Sequence, residues 1–376
     1  MHSVSVKLPS SQGTMMAGTI DTPDSPPVAY AMFAHCFTGS RFTPAAARVS
    51  KTLTEFGIAT LRFDFPGLGQ SEGEFSETTF SSNVEDIKTA YEWMRANYAA
   101  PQLLVGHSLG GAASLKAATE LRDLKAVATI GTPFDPAHAV LHFADRIEDV
   151  DEQGAVTVVL GGRDIVISRE FLEDLADTNP ELYLPRLRKP LLLVHSPIDE
   201  TVGVDNAQTI FQVTRYPKSL VSLDQADHLA TRAGVAQRAG RLIGNWVEPY
   251  LVPVNEAPDV EAGALSRSAR GSRFADTVHT PVGQLTTDRP KSEGGKNLGH
   301  SSADLIAAAL AADASQAIRD TARKARIKLD DVAVTVVPED GGFARRITLN
   351  GALDDAQRRQ LLAAVRPLTV KVRDEN

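Results

Sequence analysis

Leu103-Leu104-Val105-Gly106-His107-Ser108-Leu109-Gly110-Gly111-Ala112 joins a short apolar run, a serine flanked by glycines, and the start of a small-residue stretch. Consecutive apolar residues of this length read as a strand buried on both faces. The small residues beyond read as a helix over 112–121. Gly-x-Ser-x-Gly between strand and helix is a sharp elbow with a strained backbone at the serine. Large side chains on either flank would clash, and Gly106 and Gly110 remove them. The elbow exposes the serine hydroxyl and sets a helix N-terminus, with outward-pointing N–H groups, beneath any oxyanion formed there. Ser108 is therefore the candidate nucleophile.

Outward from this point, apolar runs alternate with helical patterns. Residues 28–34, 58–63 and 126–130 read as buried strands. Helices are expected over 43–56, ending at Gly57, and over 80–97 with Asn83, Asp86 and Lys88 on its polar face. Strand–helix alternation predicts an α/β fold, a mostly parallel sheet with helices on both faces. Residues 134–189 break the rhythm and read as an insertion over the site, with helices at 137–143 and 171–176 and a hairpin within 156–167. Strands at 191–195 and 220–223 and a helix over 233–250 complete a first domain, 1–252.

A serine hydroxyl needs a base, and the base needs an orienting carboxylate. His228 lies in the loop after the last core strand, where ligand chemistry collects in such sheets. It is the candidate base. His195 ends a core strand and reads as a structural hydrogen-bonder. His138 and His142, four apart on an expected helix, read as a solvated or packed face before a metal pair. Two aspartates compete for the acid. Asp199 follows the penultimate core strand, and Asp164 follows a similar apolar run inside the insertion. Position in the chain favours Asp199, with Glu200 and Asp227 read as solvated loop carboxylates. The oxyanion donors are expected to be the backbone amides of Leu109, directly after the serine, and Phe37, in the loop after residues 28–34. His35 is expected to tie down that loop, and Cys36 reads as a small packed residue.

Bulk properties agree. Of 376 residues, 43% are hydrophobic and 23% charged, ordinary for a globular chain. Thirty-nine basic against 47 acidic residues leave −8, which carries no footprint for nucleic acid or an anionic membrane. The opening Met1-His2-Ser3-Val4 has no signal-peptide pattern, and no apolar run could span a bilayer, so the expectation is a cytoplasmic protein. A single cysteine excludes an internal disulfide and multi-thiolate metal sites. No metal or cofactor is called for; the expected partner is a small-molecule ester.

Composition shifts after Pro253. Residues 253–270 read as a linker, and 271–376 as a smaller α+β domain. Strands are expected at 274–280, 283–287, 332–337, 345–349 and 368–372, with helices over 305–325 and 354–365.

Residues 1 to about 250 resemble the α/β-hydrolase superfamily, most closely a carboxylesterase-like subgroup fused to an OsmC-like domain. The motifs are Phe33-Ala34-His35-Cys36-Phe37-Thr38, Leu61-Arg62-Phe63-Asp64-Phe65, Gly67-Leu68-Gly69, Phe80-Ser81-Ser82-Asn83-Val84-Glu85-Asp86, the Ser108 elbow, and the segments carrying Asp199 and His228. The resemblance implies carboxylesterase activity through an acyl-enzyme and supports Asp199 over Asp164. Subgroup members often carry a second cysteine where this chain has Gly39. Residues from about 268 look like a diverged OsmC domain, on Gly294-Gly295-Lys296-Asn297-Leu298-Gly299 and Ser301-Ser302-Ala303-Asp304-Leu305-Ile306. OsmC-like proteins reduce peroxides with two cysteines and form intertwined dimers. Their cysteines would fall near Asp313 and near Pro367 or Leu368, so the resemblance leaves here a non-catalytic scaffold for a homodimer. Alternatives are acyl transfer to peroxide on the same triad, and a stress-linked binding protein with a vestigial hydrolase site.

Overall fold

The computed structural model describes residues 1–24, 26–139, 154–160, 163–254, 260–269 and 272–367. The chain divides into two compact units, Met1–Pro258 and Asp259–Asn376.

The first unit is built on one eight-stranded sheet. Its strands are β1 (His2–Pro9), β2 (Met15–Thr22), β3 (Ala29–Ala34), β4 (Ile58–Phe63), β5 (Leu103–His107), β6 (Ala126–Ile130), β9 (Leu191–His195) and β10 (Lys218–Ser222). They run in the order β1-β2-β4-β3-β5-β6-β9-β10. β1, β2 and β4 pair antiparallel; from β4 to β10 every pairing is parallel. This is the α/β-hydrolase fold.

The central strands read as unbroken apolar runs because both faces are covered. Along β3, Ala29, Ala31 and Phe33 face a cluster with Val49 and Leu53 of helix Pro44–Leu53 and with Ala239 and Ile243 of helix Val235–Val247. Tyr30, Met32 and Ala34 face the opposite cluster, with Ile87 and Met94 of helix Phe80–Asn97 and Ala112 and Leu115 of helix Leu109–Ala118. The period of two thus assigns alternate residues of one strand to two cores.

Three expectations need correction. The helix after Ser108 begins at Leu109 rather than Ala112, so Gly110 and Gly111 are helical despite their poor propensity. Asn83 and Asp86 are not on a polar face: they are 8% and 1% exposed. Asp86 accepts from the Ser11 amide at 2.8 Å and its hydroxyl at 2.7 Å, tying the β1–β2 turn to the helix. The segment 253–270 is not all linker, since β11 (Leu265–Ser268) pairs in the second unit. Its polar composition hides the strand, because backbone pairing needs no apolar side chains.

The break after β6 contains the hairpin β7 (Ala155–Leu160) and β8 (Arg163–Ser168), then helix Arg169–Asp177, which Ser168 caps by accepting from the Phe171 amide. Val156, Val158, Ile165, Ile167 and Phe171 are buried in the same cluster as helix Phe80–Asn97. Asp174 accepts from the Ser81 amide and hydroxyl, both at 2.6 Å. Of the helix expected at 137–143, residues 140–143 lie outside the described residues.

In the second unit, β11, β12 (Asp276–Thr280) and β13 (Gly283–Thr287) form an antiparallel sheet, and β14 (Asp331–Glu339) pairs with β15 (Gly342–Asn350). Helices Ser302–Lys324 and Asp355–Ala363 both start in capping boxes, Ser301 with Asp304 and Asp354 with Gln357. Asp288 folds the loop after β13 by accepting from the amides of Arg289, Lys296 and Leu298. Ile318, Ala322, Leu349 and Leu361 are the buried core cluster of this unit. The expected strand at 368–372 lies outside the described residues.

Candidate active site

β5 delivers Ser108 at the C-terminal edge of the parallel strands. Its backbone sits at φ 53° and ψ −126°, strained for a residue with a side chain. A Cβ on Gly106 would lie 2.4 Å from the Gly111 Cα, and one on Gly110 would lie 2.1 Å from the His35 carbonyl oxygen. The flanking glycines thus serve close approach. Gly110 lets the first turn of helix Leu109–Ala118 press against the 34–37 loop.

His228, in the loop after β10, turns Nε2 to the Ser108 Oγ at 2.9 Å and Nδ1 to an Asp199 carboxylate oxygen at 2.8 Å. The other Asp199 oxygen accepts from the amides of Thr201 and Val202, each at 2.9 Å. Burial pushes the Asp199 carboxyl up, but the His228 hydrogen bond, the backbone amides and the His228 charge together outweigh it and hold it below its ordinary value. A carboxylate held ionised keeps the proton on His228 Nδ1, leaving Nε2 to accept from the serine. Asp164 stands exposed on β8, paired across the hairpin with Val159, and takes no part. Asp227 accepts from Thr231 and Arg232 in its own loop.

The neighbouring histidines anchor this arrangement. His195 donates to the Val202 carbonyl at 2.8 Å, and His138 donates to the Thr201 carbonyl at 2.6 Å, closing the Asp199 loop from two sides. His142 lies outside the described residues, and among those described no cluster of metal-ligating side chains forms. His35 donates from Nδ1 to the Cys36 carbonyl and accepts at Nε2 from the Phe65 amide. Burial pushes the Cys36 thiol up to about 11, which leaves it a poor nucleophile.

Two supports were missed from sequence. His107 donates from Nε2 to the His228 carbonyl at 2.8 Å, so the residue before the serine holds the loop that carries His228. Burial, then the His228 charge, lower the His107 pKa to about 4. Burial likewise lowers His35 and His195. Between pH 4 and 6.5 the unfolded chain binds protons that the folded one refuses at His107, so stability rises with pH across that window. His107→Gln keeps a donor toward His228 and is expected to shrink the stability lost between pH 6.5 and 5 by about 1.6 kcal/mol relative to wild type. Urea midpoints at both pH values check this, and equal losses in the two proteins would refute it.

The second is a buried ionic network. Asp64, after β4, binds the Arg41 amide at 2.5 Å and also its guanidinium. Arg41 reaches Gln70 at 2.5 Å, and Arg62 pairs with Asp21 at 2.7 Å while donating to the Arg41 carbonyl at 2.6 Å. The network clamps the 36–41 loop to β4 and the 65–71 loop. A charged residue inside the apolar run of β4 was its sequence signal, since a buried charge needs a partner. Asp64→Ala strands a buried guanidinium and is expected to cost about 3–5 kcal/mol. A loss under about 1 kcal/mol in urea unfolding would show that the clamp carries little.

Comparison with known proteins fits this geometry. A family model described as serine aminopeptidase, S33, matches residues 43–156. The esterase domain of a Rhodothermus marinus protein is 44% identical, covers 66% of this chain and 99% of its own, and superposes with a TM-score of 0.55. The chain belongs to the α/β-hydrolase superfamily. The chain is also 31% identical over 133 residues to the human mitochondrial palmitoyl-protein thioesterase ABHD10, a match over 33% of this chain and 42% of the relative. It therefore spans about two-fifths of the length of the curated relatives it matches. Mouse ABHD10 shares the fold at 21% identity and a TM-score of 0.54, over 65% of this chain and 99% of that one. No helix among the described residues is long and apolar enough to cross a membrane.

Proposed function

We propose that this hydrolase cleaves carboxylic esters through an acyl-enzyme on Ser108. The carrying observation is the continuous chain from Asp199 through His228 to Ser108, with both hydrogen bonds under 3 Å. His228 Nε2 takes the Ser108 proton as Oγ bonds to the acyl carbon. The amides of Leu109 and Phe37 receive the oxyanion; the cavity that both residues line supports that pairing. The imidazolium returns its proton to the departing alcohol as the ester bond breaks. Water then attacks the acyl carbon as His228 takes its proton; the acyl–Oγ bond breaks, the imidazolium returns that proton to Ser108 Oγ, and the carboxylic acid leaves. Asp199 orients the ring and stabilises its charged form.

Thioesters undergo the same chemistry, and the name of the human relative makes a long-chain acyl thioester a fair comparator. A fluorophosphonate probe is expected to label Ser108 in the folded protein. Aryl esters of two to sixteen carbons, with a palmitoyl thioester beside them, then rank the substrates. A folded protein that neither labels nor turns over any of them would overturn the reading.

For the Asp259–Asn376 unit we propose homodimerisation without catalysis. Helix Ser302–Lys324 begins Ser302-Ala303-Asp304-Leu305-Ile306-Ala307-Ala308-Ala309-Leu310, yet its buried residues are Ala314, Ile318 and Ala322, all in its second half. Ile306 is half exposed. A second copy covering the first half would give that apolar stretch a partner. Light scattering is expected to show a dimer that disperses when residues beyond 258 are removed. A monomer with the full chain would sink the idea.

A further inference from the structure

Three phenylalanine rings from distant parts of the chain meet at the oxyanion loop. Phe37 belongs to that loop, Phe75 opens the short 3₁₀ turn Phe75–Glu77, and Phe171 lies in the first turn of helix Arg169–Asp177. Phe37 stacks on Phe171 with ring centres 5.6 Å apart and planes 20° from parallel. Phe75 stands edge-on to Phe37 at 5.7 Å and tilted against Phe171 at 5.6 Å, so each ring pairs with the other two. Phe75 and Phe171 are both buried. The helix that carries Phe171 is pinned in turn, since its Asp174 accepts from the Ser81 amide and hydroxyl.

The backbone beside Phe37 needs holding. Thr38 sits at φ 57°. A β-branched residue in the left-handed region is strained, and such strain persists only where the surroundings fix it. His35 anchors the start of the loop through the Phe65 amide, and the Arg41–Asp64 clamp anchors its end. Between these anchors the Phe37 ring is gripped by Phe75 and Phe171.

We infer that Phe171 is a positioning residue for ester hydrolysis: through the Phe37 ring it fixes the Phe37 amide where the oxyanion forms. This deepens the ester-hydrolase reading and rests on Phe37 as an oxyanion donor. The segment after β6 then braces one side of the oxyanion hole as well as packing on helix Phe80–Asn97. A donor stabilises the transition state most when it is already in place. Loosening it weakens the transition state more than the bound ester, so the loss falls on kcat rather than KM.

The test is a double-mutant cycle on phenyl butanoate hydrolysis with Phe171→Leu and Phe37→Leu, each checked for folding by thermal melting. Leucine keeps apolar bulk and removes the stacked ring, and Phe37→Leu leaves the backbone amide present. Phe171→Leu is expected to lower kcat by about 10- to 100-fold with KM within about threefold of wild type. A trifluoromethyl ketone, whose adduct with Ser108 sets an oxyanion in the hole, is expected to bind that variant more weakly by a similar factor. The double variant is expected to match Phe37→Leu within about threefold, because Phe171 acts through the Phe37 ring. Should Phe171→Leu fail to fold, Phe171→Met, nearer in volume, takes its place in the cycle. An unchanged kcat, a loss in KM alone, or losses that multiply in the double variant overturn the inference while the hydrolase reading stands. A wild type that neither hydrolyses the ester nor labels at Ser108 overturns both.

Discussion

Ser108→Ala is expected to lower kcat/KM for a simple aryl ester by about 10⁴- to 10⁶-fold, without loss of the fold. The hydroxyl is the only atom removed, and the alanine methyl fits wherever the serine side chain does. The backbone at this position is at φ 53°, so the strain remains in the variant. Stability is expected to change by less than about 1 kcal/mol, as for a mutation that creates no cavity and buries no unmet group. His228 keeps its Asp199 partner, so the rest of the triad should stay in place. Activity within tenfold of wild type would mean that acyl transfer does not pass through Ser108.

The second large effect separates the two aspartates. Asp199→Asn is expected to reduce kcat by about 10³- to 10⁴-fold, because an amide facing His228 Nδ1 favours the wrong tautomer and removes the charge that stabilises imidazolium. The loop geometry should survive, since an Asn oxygen can still accept from the Thr201 and Val202 amides. Asp164→Asn is expected to leave kcat within about twofold, as surface substitutions far from the chemistry do. Should only Asp164→Asn lose activity, the hydrogen-bond chain described for Asp199 would not be the working one. The pair also controls for charge, since each variant removes one carboxylate.

The order of core strands, the elbow and the chain order of serine, acid and base were legible along the chain. Each rests on local pattern: apolar runs bounded by turns, or glycines beside a serine. Choosing Asp199 over Asp164 from sequence rested on position and family resemblance, because both follow an apolar run ending in a turn. The choice became geometric only once β9 was seen beside β6 and β10, with β7 and β8 paired apart from the main sheet. Asn83 and Asp86 were misread because a helical wheel cannot tell a solvated polar residue from a buried one that a remote loop or cavity meets. The Ser11 partner of Asp86 lies 75 residues away. The polar strand β11 went unseen for a related reason, since its pairing is a property of the backbone.

The sequence by itself determined that this chain folds as an α/β hydrolase around a Ser108 elbow, because strand burial, helix period and glycine spacing are written within a few consecutive residues. Only the tertiary structure decided which carboxylate meets His228, how His107 and the Arg41–Asp64 pair hold the loops in place, and that Asn83 and Phe37 line one cavity. Those contacts join residues tens to more than a hundred positions apart. They exist only where the parallel sheet brings the loops at one end of its strands together.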